Sequence, residues 1–233
     1  MKMWVEYIRK QDEESGNKKL WATGFHFGDW LALDGDEGGF EGGTEKEFIA
    51  SAYYFYSTTI LAKTCEVLGK IELFEEYTKL AEEIRKAIIF EYYAESGRLG
   101  LKNQTAYILS LFMDIAPEYR ERTANDFAKL LKKDKNHLKT GFIGTPYICR
   151  ALSDNGYNEL AYTLLLNKDL PSWLYAVNMG ATTVWERWNS VMPDGKMNPA
   201  GMNSLNHYAY GAVAEWMYRN MAGINEVEAG FKK

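Results

Sequence analysis

Two long stretches of the chain repeat apolar residues at the three-and-four spacing of an amphipathic helix. One runs through Phe48, Ala52, Phe55, Thr59, Ala62 and Val67 to Gly69, the other through Phe74, Tyr77, Leu80, Ala81, Ile84, Ala87 and Ile88. The pattern predicts helices over 44–69 and 71–93, the second closed by Gly97 and Gly100. Shorter stretches predict helices over 104–115, 117–132, 146–156, 159–167 and 204–221. Residues 1–10, with Trp4, Val5 and Ile8 on one face, read as the end of a helix, followed by a polar exit loop over 10–19. Thr44-Glu-Lys-Glu47 has the form of a capping box, Pro117 falls in a first turn, Asn155-Gly156 makes a stop and Asn158 is placed to cap the next helix. Strand alternation is almost absent, and there is no heptad run, low-complexity tract or fixed repeat. The expectation is one all-α domain over 1–233, with helices in antiparallel pairs and longer loops between pairs. That arrangement suits an α/α toroid better than a four-helix bundle.

The segments outside this periodicity carry the chemistry. Residues 20–43 are rich in glycine and aromatics and follow neither period, and irregular connections of this length inside compact domains are usually functional. Gly24-Phe-His-Phe-Gly-Asp-Trp30, Gly180-Ala-Thr-Thr-Val-Trp-Glu-Arg-Trp188 and Gly201-Met-Asn-Ser-Leu-Asn-His207 each join small, polar and aromatic residues. Tryptophan offers a flat apolar face to a sugar ring, and Asp, Asn and His supply directed hydrogen bonds to hydroxyls. Aromatic residues make up 15% of the chain, more than a core this size needs, although the Tyr53–Tyr56 run and the Tyr92-Tyr93 pair read as helix packing. Glu186, set among Trp185, Arg187 and Trp188, is the candidate for acid–base work, with Arg187 holding it ionised; the plainer alternative is an Arg–Glu pair tying a loop. For His207 the alternative to a sugar contact is a histidine bonded to backbone at a helix start.

Other classes drop out. A formal net charge of −5 with lysines scattered among glutamates disfavours a nucleic-acid partner. His26, His137 and His207 show no metal-ligand spacing, and no dinucleotide or Walker motif is present, so neither metal nor cofactor is expected. The glycines of Gly141-Phe-Ile-Gly-Thr145 are expected to allow close packing, and Cys65 and Cys149 to be buried thiols. No apolar run suits a membrane span, and the start carries no secretory signal, so the expectation is a soluble, cytoplasmic chain with no membrane partner.

Five segments in order resemble the catalytic domain of bacterial α-L-rhamnosidases, inverting glycoside hydrolases that remove terminal rhamnose. They are GFHFGDWLALDG (24–35), NQTAYILSLFMDIAPE (103–118), TGFIGTPYICRALSDNGYNELAYTLL (140–165), DLPSWLYAVNMGATTVWERW (169–188) and SLNHYAYGAVAEWMYRNMAGI (204–224). The resemblance implies part of an (α/α)6 barrel acting on a rhamnose-containing glycoside or oligosaccharide. By the same resemblance Glu186 is the general base, His207 a sugar contact, Trp30 and Asp29 part of the rhamnose pocket, and Trp185 and Trp188 its walls. An inverting enzyme needs a second carboxyl about 6.5–9.5 Å from the base. The family's acid motif, Asp-x-x-x-Arg-x-Glu, has no counterpart here, and the spacing of Asp29, Asp34 and Asp36 does not recommend them as substitutes. The expectation is an incomplete barrel, weak or inactive alone, that self-associates or awaits a missing N-terminal half. Its end at 229–233 falls where a β-domain commonly begins in the family. A glycosidase for another sugar, or a non-catalytic carbohydrate-binding scaffold, are the other readings.

Overall fold

The computed structural model describes residues 1–36, 38–228 and 231; most of the C-terminal stretch 229–233 lies outside the described residues. Nine α-helices occur among them: α1 Lys2–Glu14, α2 Lys46–Val67, α3 Ile71–Tyr92, α4 Gln104–Phe112, α5 Arg120–Lys133, α6 Ile148–Ser153, α7 Asn158–Leu166, α8 Trp173–Asn178 and α9 Val213–Trp216. A 3-10 turn at Pro117–Tyr119 leads into α5, and α9 sits between a 3-10 turn at Ala209–Ala212 and a π turn at Met217–Met221. No strand forms among the described residues, only isolated bridges such as Trp30 with Glu41.

Composition decides which helices lie inside. Helix α2 buries residues around its whole circumference in its first turns and along one side beyond them, and α4 buries every residue except Phe112. Helices α3 and α5 keep one apolar stripe, Tyr77, Leu80, Ile84 and Ile88 on the first and Thr123, Phe127 and Leu131 on the second. Each inner helix pairs with the next outer one (α2 with α3, α4 with α5, α6 with α7), and the inner helices α2, α4, α6 and α9 pack against one another in succession. This two-layer succession of hairpins is the α/α architecture expected from the pattern. Phe48, Tyr54, Ile108, Leu109 and Trp216 fill the space between layers. Both cysteines are buried and free, and burial pushes the Cys149 thiol up to about 12. Among the described residues no helix is long and apolar enough to cross a membrane.

Several boundaries differ from the sequence pattern. The capping box is not made: α2 starts at Lys46, and the hydroxyl of Thr44 is buried without a partner. Asn158 is the first residue of α7 rather than its cap, because its side chain accepts from Ser153 Oγ at 2.8 Å. Helix α1 continues into the polar run, where Arg9 pairs with Glu13 and Lys10 with Glu14, and buried Asp12 accepts from the Lys19 amide at 3.1 Å. Helix α4 stops at Phe112, since Asp114 takes a left-handed φ of 55° and turns the chain back. The pattern gave no helix at α8, which is too short to show periodicity but is capped by Ser172 Oγ accepting from the Tyr175 amide at 3.0 Å. Residues 204–208 are not helical, because Ser204 and His207 bond the backbone of 184–186 instead.

The loops before α2, α4, α6 and α9 gather at one end of the inner layer. Asn103 Nδ2 donates to Asp34 at 2.8 Å, Phe142 N to the Trp30 carbonyl at 2.9 Å and His207 N to the Val184 carbonyl at 2.8 Å.

Candidate active site

The site is built outward from Asp29, which is 1% exposed. Its Oδ1 accepts from the amides of Ile143 (2.7 Å) and Gly144 (3.3 Å), and its Oδ2 from the Gly141 amide (3.0 Å) and the Thr105 hydroxyl. Burial pushes the carboxyl above its usual range, against the pull of these donors. The loop Gly141–Thr145 thus cradles the chain's own carboxyl group in a concavity of backbone amides. It also shows the close packing expected of its glycines: a Cβ on Gly141 would overlap the Trp30 carbonyl, and one on Gly144 the Thr105 hydroxyl. The expectation that Asp29 lines the sugar pocket is therefore corrected. Both oxygens are occupied and enclosed, so Asp29 lies in the wall beneath the surface.

Trp30, next to it, is half-buried and turned outward. Its ring stands edge-on to Phe27 at 5.6 Å and tilted against Phe40 at 5.5 Å, and the Arg187 guanidinium lies 5.8 Å from the centre of the Phe40 ring.

On the segment 180–188, Trp185 and Trp188 are buried. Trp188 donates Nε1–H to the Thr140 carbonyl at 2.9 Å and stacks on Tyr210 with ring centres 4.1 Å apart; Tyr210 in turn reaches the Leu31 carbonyl at 3.4 Å. Trp185 joins Trp173, Val177 and Tyr210 around an apolar pocket of about 280 Å³. Both indoles line this pocket, which none of Trp30, Glu186 and His207 lines. Glu186 is half-buried between them in sequence, but it is not part of the lining of that pocket. Its amide donates to the Ser204 carbonyl and its Oε2 accepts from the Ser204 amide, both at 2.9 Å. Its Oε1 takes no hydrogen bond from any described residue.

Arg187 makes no ion pair with Glu186, so the direct pair that would tie the loop is not formed, although the two charges still attract one another at longer range. Arg187 instead donates to Asn189 Oδ1 at 3.0 Å and to the Gly201 carbonyl at 3.1 Å, and burial pushes its guanidinium below the usual value.

His207 stacks on Phe142 with ring centres 4.8 Å apart and on Tyr208 at 5.3 Å. Its Nδ1 accepts from the Ala209 amide at 3.3 Å, so the backbone bond envisaged for a helix-start histidine is present. With Nδ1 accepting, the neutral ring carries its proton on Nε2, which has no bonded partner among the described residues. One nitrogen thus fixes the ring and the other is left to donate.

These contacts make a cluster in which Phe142 joins Trp30 to His207, while Arg187, next to Glu186 in the chain, lies over the Phe40 ring that packs on Trp30. The sequence reading missed Phe40, Phe142, Ser204 and Tyr210. The first two sit beside glycines in loops without periodicity, and Ser204 acts through its backbone, which no residue type announces. No group of three or more His, Cys, Asp or Glu among the described residues is placed to hold a metal ion.

The sequence profile of the bacterial α-L-rhamnosidase six-hairpin glycosidase domain matches residues 1–221. The chain is 38% identical over 235 residues to an α-L-rhamnosidase of Formosa agariphila, covering all of this chain and 25% of that protein. It is 39% identical over 231 residues to one of Streptomyces avermitilis, covering 99% of this chain and 21% of that protein. The crystal structure of the S. avermitilis α-L-rhamnosidase complexed with L-rhamnose superposes with a TM-score of 0.87 at 38% identity, over 98% of this chain and 21% of that one. The native enzyme from Aspergillus terreus gives 0.85 at 32% identity, over 89% of this chain and 24% of that one. The chain spans about a quarter or less of the length of these relatives.

Proposed function

The chain belongs to the bacterial α-L-rhamnosidase six-hairpin glycosidase family, and on that premise we propose that it supplies the sugar pocket and the general base for hydrolysis of terminal α-L-rhamnosides with inversion. The observation that carries this reading is the state of Glu186: one oxygen fixed by the Ser204 amide, the other unbonded, in a half-buried setting beside aromatic walls. In this reading Oε1 takes a proton from water as the water oxygen bonds to the anomeric carbon. The bond to the leaving oxygen breaks on the opposite face, and that oxygen is protonated by a second carboxyl. Trp30 presents its ring to the sugar, and His207 donates Nε2–H to a sugar hydroxyl.

Among the described residues no carboxyl is offered as that acid. Asp29 is enclosed, and Asp34 accepts from Asn103 and from the Gly43 amide. The chain alone is therefore expected to bind rhamnose but hydrolyse rhamnosides slowly. Calorimetric titration with L-rhamnose checks the binding part. Trp30→Ala is expected to weaken binding roughly tenfold, a loss of about 1.4 kcal/mol; equal affinity in both proteins, or no preference for rhamnose over other monosaccharides, would count against this pocket.

A further inference from the structure

Asp29 is the most enclosed carboxylate among the described residues, and the proposed reaction gives it no step. What it joins makes it informative. Its four donors come from α4 (Thr105) and from the loop before α6 (Gly141, Ile143 and Gly144). Both partners are far from it in sequence, so this carboxylate ties the loop over 24–43 to two other parts of the fold at one point. From this one carboxylate three connections reach the cluster. Trp30 is its neighbour in the chain, and the Trp30 carbonyl accepts from Phe142 N at 2.9 Å. The Phe142 ring carries His207 at 4.8 Å. Thr140, one residue before the cradle, accepts from the Trp188 indole at 2.9 Å, two residues beyond Glu186.

We infer that Asp29 is a positioning residue: its carboxylate, clamped by the Gly141–Gly144 amides and Thr105, sets the register in which Trp30 and His207 face the sugar. The inference rests on the proposed function for the role of Trp30 and His207, while the clamp itself stands on geometry. A carboxylate is suited to this task because it accepts at both oxygens from four donors at once. An amide in its place must turn an NH2 toward either the Ile143 and Gly144 amides or the Gly141 amide and Thr105 hydroxyl, which leaves like groups facing each other. The loop then shifts, and Phe142 carries His207 with it.

The test compares Asp29→Asn and Thr105→Val with Thr105→Ser, which keeps the hydroxyl, and with Ile88→Ala, a core truncation in α3 away from the cluster. All are measured at a temperature where each protein is folded. The first readout needs no sugar: the ring protons of His207 in the NMR spectrum, shifted by the stacked Phe142. The second is L-rhamnose affinity by calorimetry. Asp29→Asn and Thr105→Val are expected to move the His207 signals and weaken rhamnose binding about tenfold, an effect of the size that small misplacement of binding groups produces. Thr105→Ser and Ile88→Ala should leave both readouts as in the parent. Unchanged His207 signals in Asp29→Asn, or equal changes in Ile88→Ala, would overturn the positioning role. If the His207 signals move as expected but the parent chain does not bind rhamnose, the clamp stands and the sugar reading fails.

Discussion

Replacing Glu186 by glutamine, in a polypeptide that joins this chain to an upstream acid-bearing segment, is expected to lower kcat on an aryl α-L-rhamnoside by about 10²–10⁴-fold, the usual contribution of a positioned proton acceptor. KM should change little. The glutamine carbonyl can still accept from the Ser204 amide that now holds Oε2, so the side chain stays in place and the sugar contacts of Trp30 and His207 are untouched. What is lost is basicity, which matters only as water begins to bond to the anomeric carbon. Such a loss falls on the transition state alone and therefore on kcat. A large rise in KM with kcat preserved would mean that Glu186 holds substrate instead of activating water. Steady-state kinetics of the two proteins separates the outcomes.

The second large effect concerns stability. Asp29→Ala leaves the amides of Gly141, Ile143 and Gly144 and the Thr105 hydroxyl without their acceptor in the interior. Orphaning a buried donor costs on the order of 1–3 kcal/mol, and several orphaned together do not add fully, so a loss of at least about 3 kcal/mol is expected. For a chain of this size that is roughly 6–12 °C in Tm. Thr105→Val, which removes one donor and keeps the acceptor, should cost about 1–2 kcal/mol. Thermal melts of both variants check the order; an Asp29→Ala protein as stable as the parent would show that the cradle is not an energetic anchor.

These two residues also show what could be read from the chain before its structure. Helices α2 and α3 were legible because long apolar periodicity and closing glycines agree, and every such agreement narrows the alternatives. Helix α8 was not, since six residues make less than two turns of pattern. The stretch 204–208 has helical spacing but is drawn into pairing with 184–186, a competition between two segments that local pattern cannot weigh. Glu186 stood out because its neighbours are unusual for a charge, yet adjacency in sequence suggested a direct pair with Arg187, whose hydrogen bonds go to Asn189 and Gly201 instead. Asp29 was legible as a residue of interest and not as a buried one. Its donors lie 76 to 115 positions further along the chain, and only the fold brings them together. The roles of Ser204 and of the Gly141–Gly144 amides are carried by backbone, to which side-chain chemistry gives no pointer.

The most direct test of the base role is azide rescue of Glu186→Ala in the joined polypeptide. Azide attacks without giving up a proton, so it can occupy the place of the activated water and needs no base. As the carbon–nitrogen bond forms, the bond to the leaving oxygen breaks, and the acid still protonates that oxygen. The account predicts that azide restores release of the aryl alcohol and that NMR identifies the product as the β-configured rhamnosyl azide. Failure of azide to restore turnover in a folded protein, or an α-configured product, would contradict the assignment of Glu186 as the base of an inverting reaction.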